Sequence, residues 1–80
     1  MEDKERLQNE YILKTLRETA KKIADLKEFN VPVILKAIEE YEKAGAQECF
    51  IEQQKALLDK VYTRIAELED KAGRLLERLK

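Results

Sequence analysis

An apolar stripe fills the last third of this chain and constrains it more than any other feature. Leu57, Val61, Ile65, Leu68, Ala72, Leu75 and Leu79 recur every three or four residues, with no proline among them. That spacing keeps one face of an α-helix apolar for about six turns. A helix over 47–79 is roughly 50 Å long at ~1.5 Å per residue. With that face in water it is not stable alone, so the helix requires partners.

Few partners fit within so short a chain. Eighty residues make one domain at most, 1–80, with a thin core, and domains of this size often lean on oligomerisation. Apolar residues are 44% and charged residues 41%, and Ser, His and Trp are absent. With two glycines and one proline to make turns, the composition is that of a long-helix or coiled-coil protein rather than a β-fold. It also suits a thermophilic source or a designed bundle.

Two breaks divide the helical pattern. Ile12, Leu16, Ile23 and Leu26 mark one face of a first segment over about 2–29, widened by Leu13, Ala20 and Ala24. Glu2, Asp3 and Glu5 favour its positive end. The four-residue pairs Glu10–Lys14 and Glu18–Lys22 stand in the favourable order. Asn30-Val31-Pro32 is the first break, with Asn30 suited to a left-handed C′ position and Pro32 to opening the next helix. A second helix is expected over 32–44, with Ile34, Leu35, Ile38 and Tyr41 on its apolar side. Gly45 reads as the C′ glycine that ends it. The third helix, over 47–79, begins without a Ser, Thr, Asp or Asn cap. Gly73 weakens its last turns, where Arg74, Arg78 and Lys80 suit the negative end.

A mirror relation links the arms. Residues whose numbers sum to 91 pair apolar with apolar: Tyr41 with Phe50, Ile34 with Leu57, Leu26 with Ile65, Ile23 with Leu68, Leu16 with Leu75 and Ile12 with Leu79. Ile38 with Gln53, Asn30 with Val61 and Thr19 with Ala72 dilute the pattern. The expected fold is therefore all-α: an antiparallel helical hairpin turning at Gly45, broken or kinked at Pro32, and dimerising into a four-helix bundle. The alternative is a monomeric three-helix bundle that reverses at Asn30-Val31-Pro32. Its middle helix would span only ~20 Å and leave much of the third uncovered.

Much chemistry is closed to this composition. Without histidine the chain holds no Ser–His or Cys–His dyad, and its one cysteine, Cys49, cannot complete a zinc site. The isolated glycines at 45 and 73 make no phosphate loop. Neither catalytic, cofactor-binding nor metal-ligating residues are assigned, and the expectation is a non-enzyme. Cys49 reads as a small core residue beside Phe50. Glu39, Glu40 and Glu42 read as a solvated face. Tyr41 and Tyr62 fall on or beside the stripe, whereas Tyr11 suits an exposed contact. The net charge of −1 is evenly spread, and Glu18 and Asp25 interrupt the basic run of Lys14, Arg17, Lys21 and Lys22. A nucleic-acid footprint is thus weak. No apolar run resembles a signal peptide or spans a bilayer, so a cytoplasmic location is expected.

What remains is assembly. Leu13, Ala20, Ala24, Leu58, Tyr62, Ala66 and Leu76 flank the hairpin seam and stay partly exposed if the hairpin is alone. The expected function is a non-catalytic module for self-association and protein interaction: a scaffold, a small regulator, or a chaperone-like binder of an amphipathic helix. The expected partner is a second copy, or an amphipathic helix of another protein. The alternative is a small dimeric nucleic-acid-associated regulator.

Overall fold

The computed structural model describes residues 2–79, and they are almost entirely helical. Lys80 and the side chain of Glu2, both assigned to helix ends from sequence, lie outside the described residues. Helix α1 spans Glu2–Asp25, a π-helical turn spans Leu26–Asn30, α2 spans Val31–Lys43 and α3 spans Glu48–Arg78. The chain reverses once, at Gly45. Both α1 and α2 pack on α3 and make no contact with each other. The molecule is a two-armed antiparallel rod, 64 Å long and 15 Å wide between Cα extremes. The three-helix alternative required a reversal at Asn30-Val31-Pro32, where the backbone instead stays helical.

The reversal at Gly45 is a Schellman motif. Gly45 has φ +67°, in the left-handed region. The Ala46 N–H donates to the Tyr41 carbonyl at 3.0 Å and the Gly45 N–H to the Glu42 carbonyl at 3.2 Å. Glycine adopts that φ without a Cβ penalty, so the motif satisfies the last carbonyls of α2 at little cost. After it α3 begins at Glu48, with Gln47 as an N-cap whose side chain makes no capping bond to the backbone.

Pro32 does not break the first arm, and Asn30 is right-handed helical (φ −69°, ψ −47°) rather than left-handed. The π turn explains both corrections. Ile12, Leu16, Thr19, Ile23 and Leu26 step by four and three residues, and so do Val31, Ile34, Ile38 and Tyr41. Between Leu26 and Val31 the step is five. In a continuous α-helix that extra residue would rotate the second ladder by about 100° and carry it off the seam. The π turn absorbs it: the Val31 N–H donates to the carbonyl of Leu26, five residues back. The wider turn also relieves Pro32, whose ring would press on the carbonyl four residues before it and which has no N–H to offer.

The seam holds the core. Ile34, Val61 and Ile65 are buried together, with Ile23, Leu26, Val31, Ile38 and Leu58 packed against them. Ile12, Leu68 and Leu75 extend it toward the open end. Tyr41 and Phe50, the mirror pair next to the turn, meet as tilted rings with centroids 6.4 Å apart. Thr19, which diluted the mirror, is 3% exposed. Its hydroxyl donates to the Thr15 carbonyl at 2.8 Å, so a polar residue sits in the seam with no bond unmade.

Leu57, drawn as a core residue in the stripe, is 45% exposed. The inward-facing ladder of α3 runs Leu58, Val61, Ile65, Leu68, Ala72 and Leu75, with Leu58 and Ala72 half-buried and the rest buried, and Leu57 lies one position outside it. Cys49 and Phe50 are likewise exposed rather than core, and the Cys49 thiol lies 3.8 Å from the Gln47 side-chain oxygen. The ion pairs also differ from those expected: Arg6–Glu10, Glu39–Lys43, Arg64–Glu67 and Asp70–Arg74 lie within helices, and Lys27–Glu69 joins the arms at 3.2 Å.

Candidate functional site: two apolar flanks

A two-helix seam has two flanks, and 100° per residue assigns each side chain to one of them. On the first flank lie Leu13, Ala20 and Ala24 of α1, Leu35 of α2, and Leu58, Tyr62 and Leu76 of α3. Leu13, Tyr62 and Leu76 are 43%, 48% and 58% exposed, Ala20 is exposed, and Ala24 and Leu58 are half-buried. Ala66 is exposed and turned toward the back of α3. The sequence-predicted contact residues therefore fall mostly along one side. The Lys27–Glu69 ion pair lies across the middle of it.

The second flank was missed. Phe29, Asn30, Val33, Ile34, Leu57 and Val61 line a shallow, almost wholly apolar groove of about 360 Å³. Its floor is the Ile34–Val61 core contact, and its rim is Phe29, Val33 and Leu57, which are 63%, 67% and 45% exposed. The groove sits at the π turn, which presents Phe29 and Val33 together beside the seam. A second hollow of about 320 Å³ continues the same flank toward the open end, lined by Lys22, Asp25, Leu26, Arg64 and Leu68. The sequence signal for this flank is the five-residue step from Leu26 to Val31, which moves Phe29 and Val33 relative to the first ladder.

Tyr11, expected at an exposed contact, is 67% exposed, and so is its neighbour one turn back, Leu7, at 65%. With Ile12 mirrored on Leu79, this end of α1 runs past the end of α3. Glu39, Glu40 and Glu42 are exposed, and no group of three or more acidic or thiol side chains among the described residues is placed to hold a metal ion. No described helix is long and apolar enough to cross a membrane. Compared with family models, curated proteins and solved structures, the chain matches none significantly.

Proposed function

We propose that the chain is a non-catalytic self-association and protein-interaction module, with a second copy of the chain as its first partner. The observation that supports this reading is the quantity of apolar surface the hairpin leaves uncovered. The structure exposes 6574 Å², against about 5,000 Å² for a compact monomer of this size. Leu13, Tyr62 and Leu76 on one flank, and Phe29, Val33 and Leu57 on the other, are at least two-fifths exposed. Burying a side chain of this size is worth ~1.5–3 kcal/mol. Docking two hairpins face to face closes a four-helix bundle. The measurement is the mass in solution across the micromolar range. A concentration-dependent dimer supports the reading; a cooperatively folded monomer throughout overturns it.

A further inference from the structure

We infer that the groove at the π turn is the centre of a two-fold interface between two copies of this chain, arranged antiparallel. The inference rests on the self-association reading and chooses the flank that carries it.

Two-fold contact requires a surface that is both projection and recess. The groove supplies both. Phe29 and Val33 project on its rim, and the floor over Ile34 and Val61 is open. With the axis over the groove and the copies antiparallel, residues of the first arm meet partners of the same arm at a number sum near 62. Phe29 then meets the second copy's Val33, and Val33 its Phe29. The same register sets Lys22 opposite the other copy's Glu40, once on each side of the axis. Lys22 and Glu40 are exposed and neither has an ion pair among the described residues. An apolar centre flanked by opposite charges fixes orientation and register.

The area is that of a specific interface, and charge separates the two flanks. From the tip at Gly45 to the groove is about 20 Å, so the copies overlap for about 40 Å. Across a face 15 Å wide, that covers roughly 600 Å² per copy and about 1,200 Å² in all, which meets the lower bound for a specific interface. The opposite flank carries the Lys27–Glu69 pair over its seam. Covering that pair strips water from two charges that already satisfy each other. The groove itself is lined by no charged side chain, and the ion pair on its flank, Arg64–Glu67, lies within α3 beside the second hollow rather than across the seam.

The test is sedimentation equilibrium on the full chain and three sets of variants, with far-UV circular dichroism confirming that each stays helical. Val33→Glu sits at a position two-thirds exposed, so the hairpin tolerates it, and it should weaken the dimer at least about tenfold. Glu40→Lys should also weaken it, and Glu40→Lys with Lys22→Glu should recover it. Tyr62→Glu with Leu76→Glu should leave dimerisation within about twofold. If the double variant on the opposite flank abolishes the dimer and Val33→Glu does not, the groove assignment is overturned and self-association stands. If the unaltered chain is monomeric at every concentration, both fall.

Discussion

Thr19 is a polar residue in a seam of aliphatics, and its hydroxyl bonds only to its own helix. Nothing from α3 depends on that bond. Thr19→Val should therefore change stability by less than about 1 kcal/mol in either direction, measured by urea denaturation. Ile65 and Leu68 are different, at 5% and 4% exposed. Ile65→Ala or Leu68→Ala should each cost roughly 2–4 kcal/mol, and a loss below about 0.5 kcal/mol would remove them from the core. Leu57→Ala, although in the same apolar stripe, should cost the isolated hairpin less than about 1 kcal/mol. The sequence distinguished these positions poorly. Leu57 and Leu58 are adjacent and chemically identical, and only the partner's position decides which of them faces inward. Thr19 was legible only as a flaw, because its back-bond to Thr15 is a local geometry that periodicity does not encode.

The two glycines, one in the turn after α2 and one within α3, illustrate what an element needs. Beyond the adjacent residues and the local helix backbone, neither Gly45 nor Gly73 has an atom within 4 Å of where a Cβ would stand, so sterics do not separate them. Backbone conformation does. Gly45→Ala forces an L-residue to φ +67° and should cost about 1–2 kcal/mol. Gly73→Ala, in ordinary helix, should gain about 1 kcal/mol. Thermal melts of the two variants should move in opposite directions. The Gly45 turn was readable because a C′ glycine and the mirror pairing agree on it. The π turn was not, since Pro32 offers a simpler local reading, a helix end, which conceals the five-residue step. That step is a property of the ladder, so Pro32→Ala should leave the π turn in place. Amide-to-carbonyl couplings across Leu26–Val31 would report it, and a shift to the i−4 pattern would show that the proline alone creates the turn.

At the scale of the molecule, shape is the distinctive quantity. The Cα radius of gyration is 18.3 Å, against about 12 Å for a compact domain of this length. Four of the five ion pairs seen among the described residues lie within single helices, and all are well exposed. Each is worth little in water. Stability should accordingly shift by less than about 1 kcal/mol between low and high salt, and a larger loss would assign the charges a structural part they lack here. The rod's length and its single reversal were legible from the spacing of Pro32, Gly45 and the stripe. Its second flank was not, because placing Phe29 and Val33 required the phase change at the π turn.

A single reversal also dictates how the arms come together. Mirror partners lie nine residues apart at Tyr41 and Phe50 and sixty-seven apart at Ile12 and Leu79. Each later contact therefore extends a loop already closed, and closure entropy rises only with the logarithm of loop length. The chain is built to zip from its tip. Yet Ile12, at the far end, is the most deeply buried side chain, at 2% exposed, with Leu75 nearby in the mirror at 8%. A zipper clasped at its open end does not fray progressively. Amide exchange should slow again from Ile12 to Thr19 instead of quickening steadily with distance from Gly45.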